Sequence, residues 1–472
     1  MATIHQVTLT PGKDDLVAAW IADQRWYQAK GRTPRLRRLD SWRLDDPAGE
    51  VGIETLVYVD ESAEPVTYQV PLTYRGAPLP GGEAALVGEL EHPVLGHRWV
   101  YDAPHDPVYV AQLVALVRGQ VEPQHGQESD TPRHDIVGAP DLTWPGEVDI
   151  VRSTVLRGEQ SNTSVIVETS SSPVILKVFR TLSPGENPDI VLQGALGAAG
   201  CDAVPRSVGH VAGTWAGPEG EPLLGHLAAA QEYLPGSRDA WRVTLERADA
   251  GHPFADEARA LGEVTAQIHA TLARTLPTQP ADPGLVAAQV AGMRRRASVA
   301  VSEVPALAEH EARVDAVLAA AAEASWPALQ RIHGDYHLGQ VLLVPGPTGD
   351  SRWVVIDFEG EPLRPLEERN GPDCPLRDVA GMLRSFDYAG ASSSLPDDEA
   401  ARWVDEAQNA FLDGYTAGGG DTLSHPEVLN ALTLDKALYE VIYEARNRPS
   451  WLPIPVRAVI RLLAPTTPQE DA

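Results

Sequence analysis

Two neighbouring stretches in the second half of the chain decide the fold. Residues 331–345 have the sequence RIHGDYHLGQVLLVP, and residues 351–361 have the sequence SRWVVIDFEGE. Each contains an apolar, β-branched run typical of a strand, and the intervening PGPTGD is a turn signal, so together they predict a β-hairpin. Asp335 precedes the first strand and Asp357 follows the second. The hairpin therefore predicts that two carboxylates converge at one end of the strand pair.

Two converging carboxylates suit phosphoryl transfer. In that reaction one aspartate orients the attacking hydroxyl and accepts its proton, while another holds Mg²⁺ on the nucleotide phosphates. Asp335 and Asp357 can take these roles, and the amide of Gln340 can complete the metal's ligands. The alternative is a polar turn whose aspartates cap backbone amides, and a single aspartate would favour it. The whole set, with the lysine described next, favours a kinase site.

The rarity of lysine makes each one informative. Among 472 residues, 38 are basic and 66 acidic, which gives a net charge of −28, and the only lysines are Lys13, Lys30, Lys177 and Lys436. Lys177, in VILKVFR, is the one flanked on both sides by strand-forming apolar residues. A buried ammonium group needs an acidic or phosphate partner, so Lys177 is predicted to bind the α- and β-phosphates of a nucleotide. The alternative is a strand lysine that reaches solvent.

Composition excludes several classes of protein. The negative net charge argues against non-specific nucleic-acid binding, which needs clustered basic residues. The two cysteines, Cys201 and Cys374, cannot form a disulfide framework in so long a chain and indicate a reducing compartment. The sequence shows no signal-peptide pattern at its start and no apolar run of about 18 residues. We therefore expect a cytoplasmic protein with no membrane segment and no nucleic-acid partner.

Three regions differ in their patterning. Residues 1–105 alternate apolar and polar side chains, as in RLRRLDSWRL and VTYQVPLTYRG, and predict a β-rich cap with helices near 14–23 and, just beyond it, 108–118. Residues 106–235 predict a strand-rich lobe with a polar loop at 119–147. Residues 236–472 are Ala-rich and helical, apart from the hairpin at 331–360. The order predicts an α+β protein with a two-lobed, protein-kinase-like fold and an added N-terminal β-rich cap.

The chain resembles a known family along nearly its whole length. IHGDYHLGQVLL and VVIDFEGEP are similar to the motifs of the aminoglycoside-phosphotransferase-like kinases. A closer resemblance, to actinobacterial maltokinases, is carried in order by RWYQAKGR, GEQSNTS, LKVFR, SPGENPD, QEYLPG, HGDYHLGQ, DFEGEP, RDVAGMLRSFDYA and ALYEVIYEARNRPSWLPIP. It implies ATP-dependent phosphorylation of maltose to maltose 1-phosphate for α-glucan (glycogen) synthesis. It also implies association with a trehalose-isomerising enzyme, because the two activities share maltose.

The resemblance assigns roles to individual residues. It makes Asp335 the catalytic base and makes Gln340 and Asp357 the Mg²⁺ ligands. It makes Lys177 the residue that holds the ATP phosphates. Backbone groups of a hinge would meet adenine, and a polar loop between two strands, which alone is typical of an ordinary hairpin turn, would contact phosphate. The hinge residues are Gln231, Glu232, Tyr233 and Leu234, and the loop residues are Gln160, Ser161, Asn162 and Thr163.

One position departs from the family pattern. A glutamate usually follows the NPD segment in the next helix, and this chain has Val191 there. The partner of Lys177 is then open: Glu186 or Asp189 can substitute, or the lysine pairs only with the nucleotide.

The helix predicted for LDKALYEVIYEARNRPSW places Tyr439 and Tyr443 on one face. With the resemblance, Tyr439, Tyr443 and Glu444 become candidate sugar contacts. The alternative is an amphipathic helix whose tyrosines pack on the lobe. Lys436, four residues before Glu440, is expected to form an ordinary ion pair with it. His337 and Glu359, each two residues beyond a hairpin aspartate, complete the candidate substrate contacts.

Other polar residues are expected to be structural. His269 ends an apolar helical pattern and is typical of a hydrogen-bonded core histidine, and Asp378 is predicted to cap a helix. The cluster at residues 294–296, all arginine, is expected on a solvated face.

Two other functions remain open from the sequence. One is a kinase of the same fold that acts on glucosamine or an aminoglycoside. The other is an inactive kinase-like binding module, which the missing glutamate favours slightly and the retained lysine and aspartates disfavour.

Overall fold

The computed structural model describes residues 9–126, 128, 131–141, 149–156, 158, 161–346, 349–361 and 364–464. The chain divides into two compact units. The first comprises Met1–Ile190 and Arg206–Pro235, and the second comprises Val191–Pro205 and Gly236–Ala472. The fold mixes helices and sheets and begins with a β-rich region, as predicted. The three-part division at residues 105 and 235 stays a prediction.

The first unit is built on two sheets. Its strands are β1 (Leu36–Leu44), β2 (Gly52–Asp60), β3 (Val66–Arg75), β4 (Leu86–His92), β5 (Gly96–Asp102), β6 (Gln124–His125), β7 (Ile136–Pro140), β8 (Ile150–Val155), β9 (Asn162–Thr169), β10 (Val174–Phe179), β11 (Thr181–Leu182), β12 (Ser207–Ala216) and β13 (Pro222–Glu232). One sheet has the order β4-β5-β3-β2-β1-β6, with β11 paired on β3, and the other has the order β7-β12-β13-β10-β9-β8. Lys177 lies on β10, which β9 and β13 flank in antiparallel register.

The first sheet is covered on both faces, which explains why β2 is buried along almost its whole length. Successive side chains of a strand point to opposite faces. Tyr58 therefore packs in one apolar cluster with Val17 of α1 (Lys13–Ile21), while Val57 packs in another with Leu113 of α2 (Pro107–Val117). Both helices lie where the sequence predicted them.

The second unit is mainly helical. Its elements are α3 (Pro188–Ala198), which starts in the first unit, α4 (Ala240–Asp249), α5 (Ala255–Thr275), α6 (Pro283–Glu303), α7 (Glu311–Glu323), α8 (Leu366–Arg369), α9 (Leu376–Ser392), α10 (Asp397–Ala417), α11 (Pro426–Asn447) and α12 (Pro453–Leu462), with strands β14 (Arg238–Asp239), β15 (Val341–Pro345) and β16 (Ser351–Val355). The strands form a small sheet in the order β14-β15-β16. The β15–β16 pair is the predicted hairpin, with Val341 opposite Val355.

Helix α9 is the centre of this unit. It is buried on nearly every face, and its Val379 and Phe386 belong to the main apolar cluster. Helices α10 and α11 both pack against it. A helix surrounded in this way is rigid, so it can fix the loop that precedes β15.

Candidate active site

The loop that carries Asp335 is held by a buried carboxylate on α9. Asp378 Oδ2 accepts the N–H of His333 at 2.8 Å, and Oδ1 accepts the N–H of Gly334 at 2.9 Å. Gly334 has φ +83°, a left-handed conformation that favours glycine. The prediction that Asp378 caps a helix is wrong, because its carboxylate faces this loop.

The environment of Asp378 keeps it ionised. Burial raises the pKa of the carboxyl, but hydrogen bonding and charge from His269, together with the loop N–H groups, outweigh burial and lower it below its usual value. His269 Nε2 lies 3.1 Å from Asp378 Oδ2, and its Nδ1 lies 2.9 Å from the Tyr415 hydroxyl. His269 is thus a buried, hydrogen-bonded histidine, as expected, and it supports the loop through Asp378.

His333 joins the loop to the end of β16. Its Nε2 donates to the carbonyl oxygen of Ile356 at 3.0 Å, and its ring packs 4.7 Å from that of Phe358. Between these two residues, Asp357 has φ +66°, a conformation that non-glycine residues rarely adopt. The chain reverses there, immediately after the strand pair. This geometry places Asp357 beside the loop that carries Asp335, which the hairpin pattern anticipated.

Gln340 and Asp357, the predicted Mg²⁺ ligands, are neighbours. The side-chain amide of Gln340 donates to Asp357 Oδ2 at 3.2 Å. Carboxylate and amide oxygens are ligands that Mg²⁺ accepts. The residues present therefore fit the ion, although their role as its ligands stays a prediction.

Lys436 on α11 is the nearest cation to Asp335 among the described ion pairs. Its Nζ lies 3.6 Å from Asp335 Oδ1 and 2.9 Å from Glu361 Oε1. The predicted ion pair between Lys436 and Glu440 is wrong: Glu440 instead accepts hydrogen bonds from Arg384 at 2.7 and 2.9 Å. Lys436 therefore belongs to the candidate active site.

A pocket adjoins this lysine, and both of its acidic side chains are paired with cations. It is lined by Arg296, Gly334, Tyr336, Glu361, Arg364, Arg377, Gly381, Leu432, Asp435, Lys436 and Tyr439. Arg296 donates to both oxygens of Asp435, at 2.7 and 3.0 Å. Arg364 donates to Glu361 at 3.1 Å. The expectation that Arg296 lies on a solvated face is therefore wrong, since it forms part of this pocket.

The two charges beside Asp335 stabilise each other. Burial raises the pKa of Glu361, but Lys436 and Arg364 outweigh burial and lower it to about 2. Burial lowers the pKa of Lys436, but Glu361 and Asp335 outweigh it and raise the pKa above its usual value. Both groups are therefore ionised at neutral pH.

The three predicted sugar contacts on α11 have different environments. Tyr439 lines the pocket, and Lys436 Nζ lies over its ring, 5.3 Å from the ring centroid. Tyr443, 40% exposed, stacks on Tyr439 with centroids 6.5 Å apart. Glu444 is only 1% exposed, and its oxygens accept hydrogen bonds from Arg448 and Tyr388. The structure therefore places Tyr439 in the pocket and Tyr443 beside it, and it uses the Glu444 carboxylate within the protein.

The candidates beside the hairpin aspartates also differ. His337 Nδ1 accepts the N–H of Gly339 at 3.0 Å. Burial lowers the pKa of His337, while the charges of Asp335 and Lys436 act on it in opposite directions. The backbone oxygen of Glu359 accepts from Arg369 at 2.8 Å. Two acidic side chains line the pocket, Asp435 and Glu361. The sequence reasoning missed Glu361 as a site residue, although DFEGE places acids at alternate positions.

Lys177 has an acidic partner within the first unit. Its Nζ lies 3.3 Å from Oδ2 of Asp189, which is 4% exposed. Of the alternatives left open by Val191, Asp189 is thus one partner of this lysine. Asp189 lies in the first turn of α3, so the acid comes from the start of the helix and not from its middle.

The predicted phosphate loop is only partly a loop. Asn162 and Thr163 lie in β9, and Thr163, 1% exposed, accepts a hydrogen bond from Arg180 at 2.8 Å. Its hydroxyl is therefore used inside the protein, against the expectation that it faces phosphate. Ser161, just before the strand, is exposed, and Gln160 lies outside the described residues.

The predicted hinge consists of the last two residues of β13 and the two residues that follow this strand. The N–H of Glu232 donates to Arg206 O at 2.9 Å, and the N–H of Tyr233 donates to Pro173 O at 3.1 Å. Any adenine contact must therefore use other backbone groups of residues 231–234.

Three features are typical of a kinase-like phosphotransferase. They are an aspartate on a fixed loop before a hairpin, a second aspartate after the hairpin, and a strand lysine paired with an acid at the start of a helix. Two family models match the chain: the maltokinase N-terminal cap domain at residues 20–106 and the phosphotransferase enzyme family at residues 153–428. The second match covers more than half of the chain, so this protein belongs to the phosphotransferase enzyme family, and the pair of matches is a maltokinase-like architecture.

Proteins of known activity are similar to this chain over much of its length. A glucosamine kinase of Streptacidiphilus jiangxiensis is 32% identical over 65% of this chain and 72% of its own. A glucosamine kinase of Mycolicibacterium smegmatis is 31% identical over 78% of this chain and 90% of its own. The solved structure of a glucosamine kinase in complex with glucosamine, ADP and inorganic phosphate matches with a TM-score of 0.64 and 26% identity, over 96% of this chain and 100% of that one. In the described part of the chain, no helix has the length and apolar character needed to cross a membrane.

Proposed function

We propose that this protein is an ATP- and Mg²⁺-dependent sugar kinase that phosphorylates maltose to maltose 1-phosphate. The observation that carries the proposal is the placement of Lys436, whose ammonium group pairs with the carboxylates of both Asp335 and Glu361 in a pocket whose acidic side chains are all paired with cations. A hydroxyl entering this pocket meets a base that is already oriented by a neighbouring cation.

Asp335 is the base of this mechanism. It accepts the proton of the attacking sugar hydroxyl as that oxygen bonds to the γ-phosphorus and the bond to the bridging oxygen of ADP breaks. Lys436 fixes the carboxylate of Asp335, and Asp378 fixes its loop. Lys177 binds the ATP phosphates. Gln340 and Asp357 would hold Mg²⁺, which would supply positive charge against the negative charge of the phosphates.

The charges of the pocket favour an uncharged acceptor. Each acidic group named in it already has a cationic partner: Glu361 has Lys436 and Arg364, and Asp435 has Arg296. A protonated amino sugar would add a positive charge beside Lys436 without a free carboxylate to receive it. Like charges so placed cost several kcal/mol. We therefore rank a neutral sugar above glucosamine.

Maltose is the neutral sugar that the cap-domain match and the site support best. The match to the maltokinase N-terminal cap domain supports it. So do Tyr439, which lines the pocket, and Tyr443 beside it, because an aromatic ring next to the acceptor can pack on the apolar face of a sugar. Maltose 1-phosphate would be a donor for α-glucan (glycogen) synthesis, and a trehalose-isomerising enzyme, which shares maltose, is the proposed partner.

The rival function is that of a glucosamine kinase, which the two curated relatives and the similar solved structure favour. Initial rates with ATP and Mg²⁺ should be measured for maltose, glucose, glucosamine and kanamycin. The proposal expects the highest kcat/KM with maltose. A higher kcat/KM with glucosamine or kanamycin would show that this compound, and not maltose, is the preferred acceptor. Absence of turnover with all four, together with failure to bind ATP in calorimetry, would identify an inactive binding module.

A further inference from the structure

The segment that leads into α3 lies directly on β13. The N–H of Gly185 donates to Leu224 O at 2.8 Å, and Gly185 forms a parallel bridge with Gly225. A Cβ on Gly225 would come within 2.7 Å of Ser183 O and 2.9 Å of the Trp215 ring. Only glycine allows this close approach, so β13 serves as the support for the start of α3.

His226 extends that support with its side chain. Its Nδ1 accepts the N–H of Asn187 at 3.0 Å, and its ring packs edge-on against His210 with centroids 4.9 Å apart. Because Nδ1 is an acceptor, the proton of the neutral ring lies on Nε2. No step of the proposed reaction uses this half-buried histidine.

Asn187 transmits the contact to the acid that faces Lys177. Its Oδ1 accepts the N–H of Asp189 at 2.9 Å, which caps the start of α3. The Asp189 carboxylate lies 3.3 Å from Lys177 Nζ, and Lys177 is itself opposite Ala229 of β13. Strand β13 thus pairs with β10, which carries Lys177. The same strand also holds the start of α3, which carries Asp189.

We propose that His226 is a positioning residue for the nucleotide-binding lysine, acting through Asn187 and Asp189. The proposal rests on the proposed function, in which Lys177 binds the ATP phosphates. In most kinases a glutamate in the middle of the helix reaches the lysine. Here a shorter acid at the helix start does so, and such a contact depends on how firmly that start is held.

The test compares two substitutions of similar size. His226→Asn keeps an acceptor near the position of Nδ1, and His226→Leu removes it. The expected result for His226→Leu is a KM for ATP raised about fivefold, with the KM for the sugar unchanged. His226→Asn should stay close to wild type. Val137→Asn, on β7 of the same sheet and 54% exposed, is the matched control.

A double variant separates positioning from general stability. If His226 acts through Asp189, His226→Leu should add little to the ATP KM of Asp189→Asn. Equal effects of His226→Leu and His226→Asn, additive effects in the double variant, or an unchanged ATP KM in His226→Leu would each overturn the proposal. Lys177→Met tests the underlying function separately: if it leaves the ATP KM unchanged, the role of Lys177 fails, whatever His226 does.

Discussion

The ammonium group of Lys436 lies 3.6 Å from Asp335 Oδ1 and 2.9 Å from Glu361 Oε1, so one cation from α11 serves two carboxylates of the hairpin region. The three groups alternate in charge, and two of them, Lys436 and Glu361, line the pocket. This arrangement has two consequences. It fixes the proposed base, and it places a positive charge where the acceptor must bind.

The charge of Lys436 should determine the choice of acceptor. Lys436→Met keeps the apolar stem and removes the ammonium, which leaves Glu361 with Arg364 alone and takes away the cation beside Asp335, so a protonated amine can take the place of the ammonium. We expect the ratio of kcat/KM for maltose to that for glucosamine to fall about tenfold. The measurement is initial rates with both sugars. Lys436→Arg, which keeps the charge, is the control, and an unchanged ratio in Lys436→Met would refute the electrostatic account of specificity.

Asp335→Asn should abolish most of the turnover. The amide cannot accept the hydroxyl proton, so kcat should fall by about a thousandfold, while ATP still binds. Single-turnover kinetics and calorimetry with ATP measure the two effects separately. Asp413→Asn, a surface aspartate paired with Arg259, should behave as wild type. A kcat for Asp335→Asn within a few-fold of wild type would show that another group is the base.

Protonation of Glu361 should make the protein less stable in acid. Its pKa is about 2 in the folded protein, below the ordinary value of 4.5, so folding favours the ionised form. The resulting stabilisation is complete above pH 4.5 and is lost as the pH falls from 4.5 towards 2. The pKa difference corresponds to about 3 kcal/mol.

The check is urea unfolding of the wild type and of Glu361→Gln between pH 7 and pH 3. The free energy of unfolding of the wild type should approach that of the variant as the pH falls. A constant difference between them would mean that ionised Glu361 contributes nothing to stability.

Gly381 of α9 should be intolerant of alanine. A Cβ there would come within 2.5 Å of Tyr336 O, in the loop next to Asp335. Gly381→Ala should therefore displace this loop and lower kcat by at least about tenfold. Gly292→Ala in α6 is the matched control, because its Cβ would meet only an Arg295 side-chain nitrogen at 3.7 Å. That change should leave kcat unchanged and stabilise the helix by up to about 1 kcal/mol. Similar kcat values for the two variants would contradict the predicted displacement.

The local sequence pattern was sufficient to predict individual helices and strands. It was also sufficient to predict candidate site residues that belong to a single hairpin or strand. The hairpin, α1 and α2 follow from apolar periodicity and turn residues. Asp335, Gln340 and Asp357 could be proposed as site residues because they lie at the ends of one hairpin, and Lys177 could be proposed because apolar residues flank it in its strand.

Contacts between distant segments could not be predicted in this way. Lys436 and Glu440 are neighbours on a helix face, so an ion pair between them was the reasonable expectation. The packing of α11 turns Lys436 instead towards Glu361, 75 residues away in the chain. Likewise, nothing local to Asp378 shows that its carboxylate holds the loop at His333, 45 residues before it. The rarity of lysine was the one available signal, and it applied to Lys436 as well as to Lys177.

Asp357→Asn should separate metal binding from backbone strain. Asparagine also tolerates the left-handed conformation that Asp357 adopts at φ +66°, so the turn after β16 should be preserved. Replacing a carboxylate by an amide removes one negative charge from the proposed Mg²⁺ ligands. We expect the Mg²⁺ concentration for half-maximal activity to rise by at least about tenfold, with the melting temperature nearly unchanged. Gln340→Glu, which adds a negative charge beside Asp357, should shift the Mg²⁺ requirement in the opposite direction. If both variants showed the wild-type dependence on Mg²⁺, the ion would have to bind elsewhere.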